Sequence, residues 1–219
     1  MAAEHIIKSY DEELQRLNKM IVEMGGLAES QLAAGIEAVA KRDSELAARV
    51  VEGDSKVDEL ERELDNLAIR LLALRQPMAR DLREIFAALK IGADLERICD
   101  YAANVAKRSI ALSQTPPIQP VHALPRMGTL ALALVRDVID AYVERDADKA
   151  LEVWRRDEEL DEMYSSLFRE FLTYMMEDPR NIGACTHLLF MAKNIERIGD
   201  HATNIAEDLY YLEIGRAHV

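Results

Sequence analysis

The chain writes nearly the same twelve letters twice. LERICDYAANVA runs from Leu95 to Ala106, and IERIGDHATNIA runs from Ile195 to Ala206, 100 positions later. Seven of the eleven positions from Glu96 are identical between the copies: Glu96/Glu196, Arg97/Arg197, Ile98/Ile198, Asp100/Asp200, Ala102/Ala202, Asn104/Asn204 and Ala106/Ala206. An earlier block repeats at a spacing of 103, pairing Arg42-Asp43 with Arg145-Asp146, Val50 with Val153, Asp54 with Asp157, Asp58-Glu59 with Asp161-Glu162, and Leu64 with Leu167. The drop from 103 to 100 removes three residues between the second and third elements of the later copy. Whatever unit the first half builds, the second half builds again.

That unit is helical. Leu60, Leu64, Leu67, Leu71 and Leu74 recur at steps of four and three, as do Ile91, Leu95, Ile98, Ala102 and Val105, and again Ile195, Ile198, Ala202, Ile205 and Leu209. Such stripes are the signature of amphipathic helices, and no alternating strand pattern competes with them. The breaks predict six helices. The first runs over 9–41, with Gly25-Gly26 expected to loosen or kink it. Arg42-Asp43-Ser44 offers an N-cap for the second, and Pro77 ends that helix near Arg75. The third covers 79–112, the fourth ends near Glu144, and Asp146 caps a fifth that stops near Asp178-Pro179. The sixth covers 181–213. The fold class is therefore all-α: two tandem antiparallel three-helix bundles, residues 1–114 and 123–219, joined by a Pro-rich linker at 115–122. Trp154 and Tyr164 are expected to pack inside the second bundle. Arg75, Arg80 and Arg83 flank the turn LRQPMARDLRE, where they cap and pair at a helix junction or form a cationic turn that docks an acidic partner.

Composition narrows the function. Of 219 residues, 31% are charged and the net charge is −13, which opposes binding to nucleic acid or unaided adhesion to anionic lipid. The longest apolar runs, such as Leu130–Val135, fall far short of the roughly 20 residues of a membrane span. Met1–Tyr10 has no apolar signal core. Cys99 and Cys185 make no disulfide framework, so a reducing cytoplasm is expected. Cys99 aligns with Gly199 and reads as a small packing residue.

The repeats also carry paired acids. Glu96/Asp100 and Glu196/Asp200 are four apart on the third helix of each unit, and Asp54/Asp58 and Asp157/Asp161 are four apart on the second. Residues at that spacing share a face about 5–6 Å apart, and like charges there repel. Glu96 and Asp100 lie opposite the apolar stripe, with Leu89, Ala93, Ala103 and Lys107 on their face. Asp54 and Asp58 border the stripe of their own helix, placed to converge with them. Four such pairs ask for a cation, and all-oxygen ligands favour a hard one. The bland alternative is a solvated acidic face paired with Arg97 and Arg197. No catalytic constellation stands out, and none of His5, His122, His187, His201 and His218 has a partner at a telling spacing. The chain is expected not to be an enzyme, with a carboxylate-bundle metalloenzyme or a purely structural helical protein as alternatives.

At RQPMARDLRE, DLERICDYAANVAKR and NIERIGDHATNIAEDLYYL the sequence resembles the PhoU family of phosphate-transport accessory proteins. The likeness continues through HIIKSYDEELQRLNKMIVEMGGLAES and VVEGDSKVDELERELD and covers essentially the whole chain. It implies two three-helix bundles in a cytoplasmic, often dimeric adaptor that restrains phosphate-starvation signalling. The implied partners are the ATPase subunit of the phosphate ABC transporter and a sensor histidine kinase. It also implies clusters of divalent or trivalent metal ions, iron or zinc foremost, with manganese or magnesium as alternatives. The ligands would be Asp54, Asp58, Glu96, Asp100, Asp157, Asp161, Glu196 and Asp200. Lys107 stands where the second copy has Glu207, which favours the second site.

Overall fold

A computed structural model describes residues 2–117 and 122–215, with side chains from Tyr10 onward. Six helices follow in order: α1 (Ala2–Lys41), α2 (Ser44–Arg75), α3 (Ala79–Ser113), α4 (Ala123–Glu144), α5 (Ala147–Glu177) and α6 (Ile182–Ile214). A short 3-10 helix, Pro179–Asn181, precedes α6. No strand occurs among the described residues, and none of their helices is long and apolar enough to cross a membrane. Part of the proline-rich stretch, residues 118–121, lies outside the described residues, as do the side chain of His5 and all of His218.

The turns are built twice by the same chemistry. Asp43 and Asp146 sit in extended backbone, and each carboxylate accepts hydrogen bonds from two amides of the helix it starts: Glu45 and Leu46 in one case, Asp148 and Lys149 in the other. Such caps satisfy amides that the helix leaves orphaned. The preceding helices close on left-handed Arg42 (φ 55°) and Arg145 (φ 56°), a place more often held by glycine. Their neighbours complete the closure, with the Asp43 amide bonding Ala38 O and the Asp146 amide bonding Ala141 O.

Packing merges the two units. α1, α3, α6 and α4 form a central ring around one continuous apolar core, while α2 lies outside against α1 and α3, and α5 outside against α4 and α6. The stripes Ile91–Val105 and Ile195–Leu209 are buried throughout. The α2 stripe is buried at Leu64, Leu67 and Leu71, but Leu74, one residue from the end of the helix, is 71% exposed. Trp154, expected inside, is exposed: α5 has only one covered side, and its buried line runs through Ala150, Val153, Leu160, Leu167 and Phe171. Tyr164 does pack against the core.

Gly25 has a packing role that its place in the sequence does not announce. α1 is helical through Gly25-Gly26, and Gly25 is a point of close approach. A Cβ there would lie 2.7 Å from Ile139 of α4, and a Cβ at Gly128 of α4 would lie 2.5 Å from Ile36 of α1. Gly25/Gly128 and Ile36/Ile139 are each 103 positions apart, so the α1–α4 contact is reciprocal: each helix offers one glycine hole and one isoleucine knob. α3 and α6 meet in the same reciprocal way. Lys90 pairs with Asp208 at 2.6 Å, and the residues 100 positions on and back, Phe190 and Arg108, meet as a cation over a ring at 4.1 Å. The duplicated units are thus related by an approximate twofold axis through the central ring.

Candidate metal centre

The carboxylates converge where an outer helix crosses its inner neighbour, α2 on α3 and α5 on α6. In the second half, one oxygen from each of Asp157, Asp161 and Asp200 lies within 4.8 Å of the others. Asp157 is half buried, and its Oδ1 is shut off from solvent with no hydrogen-bond partner. Burial first, and then the charges of Asp161, Asp200 and Glu196, push its carboxyl up to about 7. Burial likewise raises Asp161, with Asp200 adding to it and Lys193 opposing it. Among the described residues none of Asp157, Asp161 and Asp200 forms an ion pair. Glu196 differs: Lys193 bonds both of its oxygens, at 2.6 and 2.5 Å, while standing 5.3 Å over the Tyr164 ring. Burial still holds Glu196 above the usual carboxylate range.

Gly199 makes this cluster possible. A Cβ at Gly199 would strike the Asp157 carboxylate and the Leu160 side chain, so only a bare backbone lets Asp157 lie against α6. The equivalent residue in the first half is Cys99, fully buried, with its thiol raised by burial and then by Asp54, Glu96 and Asp58. Its side chain fills the space beside those acids.

The first cluster is therefore looser and better neutralised. Burial, then Asp58 and Asp100, raise Asp54, and Lys107 opposes them. Burial also raises Glu96, opposed by Arg97 and reinforced by Glu61, Asp100 and Asp58. Arg97 lies 3.6 Å from Glu96 and 3.8 Å from Asp100. Ala103, placed on the acid face by helical spacing, is fully buried, so the open face is narrower than spacing alone implies. Glu61 was not foreseen: it stands one turn beyond Asp58, and its carboxyl is raised by burial, then by Asp65 and Asp58. Its counterpart 103 positions on is Tyr164, so the repeat gave no signal for it.

Among the described residues no histidine joins either cluster. His201 Nδ1 lies 2.6 Å from Asp94, and its ring rests on Tyr101 with centroids 5.6 Å apart, on the α3–α6 seam. Arg197 also turns to Tyr101 and leaves Asp200 free of it. An all-carboxylate set with one buried, unsatisfied oxygen fits a hard cation.

The pH dependence of the cation-free protein follows from Asp157. Its folded pKa is raised, so the folded state holds the extra proton between the ordinary carboxylate range and about 7. Stability is then highest at the low end of that window and declines as pH rises through about 7. Solvent screens part of the repulsion at this half-exposed group. Asp157→Asn in chelator-treated protein is expected to raise the thermal midpoint at pH 8 by ~2–4 °C, the effect of about 1 kcal/mol in a chain of this size. It should raise the midpoint at pH 5 by much less, because there the folded carboxyl is protonated and only the ionisation of the unfolded chain remains to penalise folding. Calorimetry at the two pH values measures both; an equal shift at each would detach the effect from this carboxyl.

Comparison with known proteins agrees with this architecture. The PhoU domain family profile matches residues 21–109 and again residues 124–209. The phosphate-specific transport system accessory protein PhoU homolog of Caulobacter vibrioides is 54% identical over 95% of this chain and 91% of its own length. The homolog from Rhizobium meliloti is 51% identical over 98% of this chain and 91% of its own. The crystal structure of PhoU from Pseudomonas aeruginosa superposes with a TM-score of 0.92 at 39% identity, covering 94% of this chain and all of that one. That of the phosphate transport system regulatory protein PhoU from Streptococcus pneumoniae gives 0.88 at 30%, covering 96% and 99%. Duplicated profile, identity along nearly the full length and matching helices agree: the chain belongs to the PhoU family.

Proposed function

We propose that this chain is a regulatory accessory protein of phosphate uptake, acting in the cytoplasm. It binds the ATPase subunit of a phosphate ABC transporter and a sensor histidine kinase, and restrains phosphate-starvation signalling when phosphate is plentiful. The observation that supports this reading is the 54% identity, across 95% of the chain, to proteins carrying that accessory role in their name. In this reading a divalent or trivalent cation is held by Asp157, Asp161 and Asp200, with Glu196 beside them. Asp54, Asp58, Glu96 and Asp100 form a weaker counterpart. A bound cation would supply positive charge that offsets the repulsion among these carboxylates and ties α5 to α6. Iron or zinc are the first candidates, then manganese or magnesium. The chain's own part is to keep Asp157 unpaired and buried, and to withhold Lys193 from the three aspartates by engaging it with Glu196.

Two measurements test the parts separately. Co-purification of the tagged chain with the transporter ATPase and the kinase from its own host is expected to recover both, and recovery of neither would end the adaptor reading. Elemental analysis of gently purified protein is expected to find metal that falls by at least about half in Asp200→Ala, which loses one of three ligands. Unchanged metal content would leave the acids as a solvated face.

A further inference from the structure

A groove of about 230 Å³ lies between the start of α3 and the end of α6, away from the acidic clusters. Leu82, Phe86 and Ala87 form one wall and Tyr211 the other. The apolar lining continues outward. Leu82 and Phe86, four apart on α3, are 37% and 54% exposed, Met78 in the extended backbone just before α3 is 80% exposed, and Tyr211 and Ile214 on α6 are 45% and 51% exposed. So much unpartnered apolar surface on two adjoining helices marks a contact site.

Arg83 sets the charge of what fits. Three arginines flank the turn before α3, two of them served by carboxylates: Arg75 bonds Glu13 at 2.9 Å, and Arg80 lies 3.6 Å from Glu213. Arg83 lines the groove, and its Nε is shut off from solvent with no partner. It forms no ion pair among the described residues, in a chain whose net charge is −13. A buried donor without an acceptor is costly, and a guanidinium recovers that cost best on a carboxylate. The other cation in the groove, Lys90, is already held by Asp208.

We infer that this groove docks a short amphipathic helix of another protein, whose apolar stripe carries an Asp or Glu that pairs with Arg83. From the start of α3 at Ala79 to Phe86 is ~10 Å at ~1.5 Å per residue, about the length over which two helical turns present anchors at i, i+3 or i+4, and i+7. A lipid surface is the poorer occupant, because one unpaired arginine on a strongly acidic chain gives little purchase on anionic headgroups. The inference draws on the accessory reading only in that an accessory protein needs partners, and its test uses no transporter component, so either can fail alone.

A phage-displayed library of 16-residue peptides is selected on the full chain and counter-selected on Arg83→Glu. Enriched peptides are expected to place an acid between apolar residues three or four apart. The best one, synthesised, should lose at least about tenfold in affinity to Arg83→Gln and to Phe86→Ala. Exchanging its acid for Lys should restore binding to Arg83→Glu. Phe86 is half exposed, so that variant is expected to keep its fold, and circular dichroism melts of all three variants check it. No enrichment, enriched peptides without an acid, or equal binding to folded Arg83→Glu overturns the inference. It is also overturned if either Arg83 variant changes the oligomeric state by light scattering, which would make a second copy the occupant. Arg83-dependent binding to phosphatidylglycerol vesicles would overturn it in favour of lipid.

Discussion

Arg145→Ala is expected to lower stability by about 2–3 kcal/mol, the cost of stranding charges that are largely buried. Arg145 reaches from the α4–α5 turn to Glu84 of α3 at 2.7 Å, to Glu213 of α6 at 3.4 Å and to Asn18 of α1 at 3.3 Å. The side chains of Glu84 and Glu213 are only 15% and 16% exposed. Asn18 also donates to Glu84 at 2.6 Å and accepts from the Tyr142 hydroxyl, so one guanidinium anchors a network spanning both halves. At ~2–4 °C per kcal/mol the thermal midpoint should fall by ~5–10 °C. Loss of the left-handed strain at Arg145 cannot offset this, because Ala keeps the Cβ. Arg145→Lys should fall between, since it keeps charge and loses the planar fork. A midpoint within 1–2 °C of the parent chain, roughly 0.5 kcal/mol, would mean that water serves Glu84 and Glu213 as well as the arginine does.

Gly199→Ala separates stability from cation binding. Alanine in a helix gains ~0.8–1 kcal/mol over glycine. Its Cβ here overlaps the Asp157 carboxylate and Leu160, and overpacking costs ~1–3 kcal/mol. The two nearly cancel, with a small net loss. Metal affinity should fall about 10–100-fold, the usual effect of displacing a group that positions a ligand. Isothermal titration of stripped protein with zinc or manganese checks it. An unchanged dissociation constant would show that Asp157 does not ligate. The reverse exchange, Cys99→Gly, frees the space beside Asp54 and is expected to strengthen binding in the first half.

The repeats made the helices and their caps legible. Asp43 and Asp146 announce themselves by chemistry and by their spacing of 103, and the buried stripes follow from 3.6-residue periodicity. The acidic pairs were legible for the same local reason. What a single strand of letters does not carry is the identity of a distant neighbour. Gly25 looked like a weak point because Ile139, which needs its bare backbone, is 114 positions away. Trp154 looked like core because the outer position of α5 is a tertiary fact. Lys193 and Tyr101 redirect Glu196 and Arg197 through contacts that no spacing rule encodes. Arg145 had one available signal: it repeats Arg42, yet Arg42 bonds carbonyls at the end of α3, Leu112 and Ser113, and Thr115 just past it, whereas Arg145 crosses to the other half. Equal letters in the two copies hold unequal posts.

The exchange of holes and knobs between α1 and α4 has an ancestral reading. Because each half owns both a glycine recess and the isoleucine that fills its twin's, a lone half could clasp an identical sister without any new surface. The present chain is then a tethered pair whose tether allowed the sisters to diverge. One kept Cys99 and traded openness for a plugged site, while the other kept Gly199 and with it an uncompensated carboxylate.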